Sequence, residues 1–260
     1  MYKRQGLGEL ISEAICQLGA IPVETGIGRT YGELLDVLEE EQPETFVGMP
    51  VPLLSLLRLK PENSLQRALI SADVCPKGIQ KEIEMRLGSR LYPHYGSREM
   101  GLAGAVTCPA FQGMHLREND ILAEIVDKAG NPLPAGNWGE LVITTLQAEA
   151  MPLIRYRTGD YTRLYAEPCP CGSILHRLDQ VSRIEKEQSM ADLDEQIFAA
   201  SGVIDYEVRA TPKGFLVEGY GRKNLDTSVI SNWRGRPVEA HWRLVRREDK
   251  PCYSGKRRVL

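Results

Sequence analysis

The sequence switches repeatedly between helical and strand-like periods over residues 6–87, and that alternation narrows the fold most. Leu7, Leu10, Ile11, Ala14, Ile15 and Leu18 recur at helical spacing and predict a helix over 6–20. Ala20-Ile-Pro-Val predicts a short strand. Thr30, with Glu33 three residues on, forms a capping box for a helix reaching about residue 41. Thr45-Phe-Val-Gly-Met predicts a buried strand, and Pro50 opens a helix through Leu59. A strand over 67–73 and a helix over 76–87 complete the series. Such alternation predicts an α/β domain with a mostly parallel sheet. From Met114 the turn signals Asn119-Asp120, Gly130-Asn131 and Gly136-Asn137 predict short antiparallel strands in a partly barrel-like arrangement. Past residue 180 the pattern becomes a helix over 191–200 and strands over 203–210, 215–219 and 238–245. A polar stretch with room for a short helix precedes the last strand. This predicts a small α+β domain of about 75 residues.

Composition excludes several classes. The 260 residues carry 42% hydrophobic and 26% charged residues, ordinary for a globular chain. A net charge of −3 argues against a nucleic-acid partner. No apolar run approaches the roughly 20 residues that cross a bilayer, so no membrane partner is expected. Six irregularly spaced cysteines predict free or metal-bound thiols in a reducing, cytoplasmic compartment. Residues 1–5, Met-Tyr-Lys-Arg-Gln, read as a non-native scar, because GTG-TAT-AAG-AGA-CAG resembles a transposase sequencing adapter.

Four stretches carry chemistry. Ser71-Ala72-Asp73 ends a strand ahead of a helix and reads either as an ordinary turn or as a ligand-lining loop. In Tyr95-Gly96-Ser97-Arg98-Glu99, Gly96 permits close backbone approach, Tyr95 offers a flat face and Glu99 a hard oxygen for magnesium. Arg155-Tyr156-Arg157-Thr158-Gly159-Asp160 reads as a strand end turning at Gly159, where the Asp160 carboxylate can accept both hydroxyls of a diol. In Tyr253-Ser254-Gly255-Lys256-Arg257-Arg258, Lys256 is a cation on a glycine-hinged loop.

A fifth constellation is a metal set. Cys108, His115, Cys169 and Cys171 make a tetrahedral Cys₃His group with no position left for water, which predicts structural zinc. It would staple the loop after Glu99 to the hairpin after Asp160. Cys16, Cys75 and Cys252 read as ordinary thiols.

Taken together and in this order, these motifs resemble the signatures of adenylate-forming enzymes, more narrowly the branch of phenylacetate–coenzyme A ligases. The resemblance runs from about Gly6 to the end. It implies that Ala72 and Asp73 line adenine, that Tyr95, Gly96, Ser97 and Arg98 face the nucleotide, and that Asp160 holds ribose. Arg98 stands where the family usually has a threonine at the phosphate. Arg183, preceded by Ser182 where the family has glycine, would reach the ribose or phosphate from the hinge. Glu99 would bind Mg²⁺, and Lys256 would be the adenylation lysine. Some relatives carry a matching cysteine–histidine cluster. The implied reaction uses ATP to activate a carboxylic acid, by the family's example an aryl acid, and passes it to coenzyme A. The implied division is an incomplete large domain over 6–181 and a lid over 182–260, and a homodimer is allowed. The family's Ser/Thr/Gly-rich phosphate loop has no counterpart here, since Gly26-Ile27-Gly28-Arg29-Thr30 lacks its spacing and lysine; the chain is therefore expected to be truncated at its N-terminus and inactive alone. Two rivals remain: acyl or aminoacyl transfer to a protein or other acceptor, and a non-catalytic zinc-stapled binding protein.

Overall fold

The structure, a computed structural model, describes residues 7–25, 28–101, 103–147, 151–184, 190–222, 225, 229–244 and 259. The chain divides into two compact units that interleave along the sequence: residues 1–68, 75–90 and 191–260 form one, and residues 69–74 and 91–190 the other. This grouping differs from the chain-order division at residue 182.

The first unit begins with α1 (Leu7–Gln17), α2 (Tyr31–Glu41), β1 (Thr45–Gly48) and α3 (Pro50–Leu59). β2 (Arg67–Ile70) and α4 (Lys77–Leu87) follow. The Thr30–Glu33 capping box forms in both directions. Residues 20–23 form no strand: the Ala20 N–H turns back to the Ile15 carbonyl at 3.1 Å, and no strand among the described residues pairs with this stretch. β1 is half exposed rather than buried, since β2 is its one strand neighbour. α3 is apolar almost all round and accordingly buried on nearly every side.

In the same unit, α5 (Ala191–Phe198) and β11 (Val203–Ala210) pack on α3 and α4. Between β2 and α5 lie the eight strands β3 to β10 of the second unit, described below. β11 pairs antiparallel with β12 (Phe215–Gly221), which pairs parallel with β14 (Arg236–Leu244); the two-residue β13 (Asn232–Trp233) closes the edge. Arg58, 3% exposed, pins this assembly. It forks onto Glu82 at 2.9 and 2.5 Å and donates to the carbonyls of Phe198, Ala200 and Val203 at 2.7, 3.1 and 2.6 Å. Removing such a buried charge leaves Glu82 and three carbonyls short of a donor. Arg58→Met should therefore cost about 3–5 kcal/mol. Thermal unfolding followed by circular dichroism should show a midpoint roughly 10 °C lower. An unchanged midpoint would remove Arg58 from that role.

The second unit begins where Leu69 and Ile70 of β2 pair parallel with β3 (Tyr92–Tyr95). Antiparallel pairing then runs from β3 through β4 (Ala105–Thr107) and β5 (Met114–Leu116) to β9 (Arg177–Leu178). A second antiparallel sheet joins β6 (Ile121–Val126), β7 (Gly139–Thr145), β8 (Tyr156–Thr162) and β10 (Ser182–Arg183). These are two open sheets, and no closed barrel forms among the described residues. Its core joins Met100, Leu116, Ile125, Leu141, Ile143 and Leu178, all at most 2% exposed.

Candidate nucleotide site and cysteine–histidine cluster

All described candidate residues lie in the second unit. β3 ends at Tyr95, Gly96 breaks the strand, and a 3-10 turn over Arg98–Met100 presents Arg98 and Glu99 to solvent. Hydrogen bonds from the Glu99 backbone N–H and from the Ser97 hydroxyl hold the Glu99 carboxyl below the usual carboxylate range. Glu99 is thus an anionic, exposed oxygen donor at neutral pH.

β8 does not end at Gly159, as the motif predicts. It continues to Thr162, and its register with β7 slips between the pairs Glu140↔Tyr161 and Val142↔Arg157. Three residues of β8 face one of β7 there, a bulge that Gly159 enables with φ +72°. The bulge is pinned from several sides. The Gly159 N–H donates to Glu140 Oε1 at 3.2 Å, and the Thr158 hydroxyl to the Leu141 carbonyl at 2.8 Å. Bulges re-aim side chains, and this one seats Asp160, 7% exposed, beside Tyr95 and Arg183.

Tyr95 Oη donates to Asp160 Oδ2 at 2.6 Å. Arg183, opposite Asp160 in the β8–β10 pairing, places Nε 3.2 Å from Asp160 Oδ1 and donates from Nη1 to the Thr158 carbonyl at 2.9 Å. Burial raises the Tyr95 phenol well above its ordinary range, and the Asp160 charge adds to that, so Tyr95 stays a donor. A carboxylate offers about four lone-pair sites. Two are engaged here, which leaves capacity for a vicinal diol. Arg183, read from sequence as a hinge residue, is thus tied into a sheet.

The Ser71–Asp73 loop is shaped by Ala72, which adopts φ +70°. It is tethered to β3 by Ser71 Oγ and His94 Nδ1, 2.8 Å apart. His94 sits beside the Tyr95 motif and Thr158 inside the Asp160 motif, but nothing in their spacing announces a tether. Lys256 lies outside the described residues, as does Cys252.

Cys108, His115, Cys169 and Cys171 converge although 63 positions separate the first from the last, and their ligand atoms lie within 4.8 Å of one another. The Cys108 and Cys169 sulfurs are 3.6 Å apart, and Cys171 Sγ is 3.4 Å from His115 Nε2. Tetrahedral zinc, with bonds of about 2.3 Å to sulfur and 2.0 Å to nitrogen, requires edges of about 3.8 and 3.5 Å. His115 Nδ1 is 3.1 Å from the Leu175 carbonyl, which fixes its proton on Nδ1 and turns the Nε2 lone pair toward the sulfurs. Burial alone would raise the Cys169 thiol; hydrogen bonds from Cys171, Cys108 and His115 outweigh it and bring it down to about 6. The donor set and these two edges fit zinc, within a group whose ligand atoms lie up to 4.8 Å apart.

Comparison with known proteins follows the same lines. The family model described as AMP-binding enzyme matches residues 19–148. Phenylacetate-coenzyme A ligase of Thermus thermophilus is 43% identical over 114 residues, covering 43% of this chain and 26% of that protein. Its Escherichia coli counterpart is 32% identical over 177 residues, covering 64% of this chain and 40% of that protein. The matches thus span less than half the length of these curated relatives. Among solved structures, 2-hydroxyisobutyryl-CoA ligase in the postadenylation state superposes with TM-score 0.74 at 19% identity, over 98% of this chain and 63% of that one. A benzoate CoA ligase from Burkholderia xenovorans LB400 gives TM-score 0.58 at 16% identity, over 93% and 55%. At those identities the likeness concerns the fold.

Proposed function

The chain belongs to the AMP-binding enzyme family, on its phenylacetate–coenzyme A ligase-like branch, and from that premise we propose that it is part of an ATP-dependent acid–coenzyme A ligase. The observation that carries the reading is the Asp160 carboxylate, held on a bulge between Tyr95 and Arg183, with both sequence motifs meeting at one point. In this reading Asp160 accepts the two ribose hydroxyls, and Tyr95 offers its ring face to the base. Ala72 and Asp73 line the adenine, and Gly96 and Ser97 let the backbone approach the nucleotide. Glu99 supplies an oxygen to magnesium. Arg98, exposed beside Glu99, faces the phosphates, and Arg183 the ribose or phosphate.

The reaction joins two anions. A carboxylate oxygen of the acid attacks the α-phosphorus of ATP, and the bond to the departing pyrophosphate breaks. The sulfur of coenzyme A then attacks the acyl carbon and AMP leaves. Lys256 is assigned the cation that offsets the repulsion in the first step. In the same reading the chain from about residue 182 acts as a lid that carries it, with β10 at its start paired to β8. An aryl acid is the favoured substrate class, on the strength of relatives named phenylacetate-coenzyme A ligase. Zinc held by Cys108, His115, Cys169 and Cys171 would cross-link the β4–β5 loop to the segment after β8, and its role is structural because four protein ligands fill its shell.

The test is acid-dependent ATP–pyrophosphate exchange in the complete protein that contains this chain. Lys256→Ala should lower exchange about 10²-fold while nucleotide affinity changes little. Exchange equal to that of the unmodified protein would remove Lys256 from the reaction.

A further inference from the structure

The roles above leave out Arg177, an arginine only 2% exposed. Its guanidinium donates from Nη1 to the Gln112 carbonyl at 2.5 Å and from Nη2 to the Glu167 carbonyl at 2.6 Å. Gln112 lies between Cys108 and His115, and Glu167 lies two residues before Cys169. One planar group therefore bridges the two segments that bear the four ligand side chains. Its own backbone is tied to the same place. Arg177 sits opposite His115 in the β5–β9 pairing, and its carbonyl accepts the Tyr165 N–H at 2.9 Å. The Tyr165 ring packs 4.6 Å from the guanidinium carbon. Gly113, in the same loop as Gln112, runs so close to β9 that a Cβ there would stand 2.6 Å from the Leu178 carbonyl.

Charge points the same way. Burying a guanidinium is costly unless an opposite charge compensates it. Zinc with three thiolates and a neutral imidazole carries one net negative charge, and Arg177 holds the segments that surround it. Arginine suits this place because its rigid fork reaches two carbonyls at once, which a lysine ammonium at the end of a flexible stem does not reproduce.

We propose that Arg177 is a positioning residue for the Cys108–His115–Cys169–Cys171 site: it fixes the separation of the two ligand-bearing segments and supplies the countercharge to the thiolate-rich centre. This inference rests on the zinc reading above and adds a residue to it.

The experiment compares the unmodified protein with Arg177→Met, Arg177→Lys and, as a control, Arg163→Met. Arg163 also packs near the Tyr165 ring, at 5.4 Å, but pairs with Asp179. Zinc content is measured first, then the rate of zinc transfer to a chromogenic chelator, then the absorption of the cobalt-substituted protein. Loss of a group that orients metal ligands typically costs 10–100-fold in affinity. Arg177→Met should release zinc about 10–100-fold faster, Arg177→Lys should fall between, and Arg163→Met should match the unmodified protein. The thiolate-to-cobalt band should shift in Arg177→Met, a change that a general loss of packing would not produce. Equal release from Arg177→Met and the unmodified protein overturns the inference and leaves the zinc site standing. An unmodified protein that binds no zinc overturns both. Should Arg177→Met fail to fold, Arg177→Lys carries the test, alongside hydrogen exchange of the unmodified protein. Stripping zinc should then speed exchange of the Tyr165 amide, and unchanged protection contradicts the proposal.

Discussion

Asp160→Ala is expected to weaken ATP and AMP binding by roughly 10³-fold in the complete protein. Hydrogen bonds to a charged group contribute about 1.5–3 kcal/mol each, and the proposed ribose contact makes two of them. Their loss amounts to about 4 kcal/mol, near three decades in affinity. The change also strips Tyr95 Oη and Arg183 Nε of the acceptor they now share, so the site loses shape as well as charge. Asp160→Asn keeps the shape and one acceptor oxygen and should fall between. Tyr95→Phe removes one donor to the carboxylate but leaves the carboxylate itself, and should cost about tenfold or less. Calorimetric titration with ATP and magnesium reads all three. A loss below tenfold in Asp160→Ala would place the ribose elsewhere.

The second large effect concerns the cysteine–histidine cluster. Cys169→Ser should abolish stoichiometric zinc and lower the thermal midpoint by roughly 10 °C or more, because metal binding free energy in a structural site is folding free energy. Chelation of the unmodified protein should reproduce the shift, and added zinc should reverse it there but not in the variant. The segments concerned, around Cys108 and after β8, carry the four ligand side chains, so they should lose protection first. A purified protein without zinc, together with an unshifted Cys169→Ser, would end the assignment.

What was legible in the sequence was what local chemistry decides. The Thr30–Glu33 cap needs only four consecutive residues, and the Pro50 start of α3 only the missing N–H of proline. Residue type alone singled out Cys108, His115, Cys169 and Cys171, whose ligand atoms the fold brings within 4.8 Å of one another. The failures share a different origin, dependence on a distant partner strand. Ala20-Ile-Pro-Val is apolar enough for a strand yet finds no strand neighbour among the described residues. Gly159 looked like a strand end, whereas the partner β7 carries β8 past it as a bulge. The place of Arg183 beside Asp160 is likewise set by β8, more than twenty positions earlier, a pairing that local pattern does not encode. Arg177 was invisible because its acceptors are backbone carbonyls, which side-chain patterns do not encode.

One measurement addresses the central claim most directly: release of AMP from ATP by the complete protein, with an aryl acid such as phenylacetate and coenzyme A supplied together or singly. The account predicts steady AMP release only when acid and coenzyme A are both present, with pyrophosphate formed in equal amount, and near-complete loss of it in Asp160→Ala. AMP release that ignores the acid, or ATP binding with no release for any carboxylic acid offered, would contradict it.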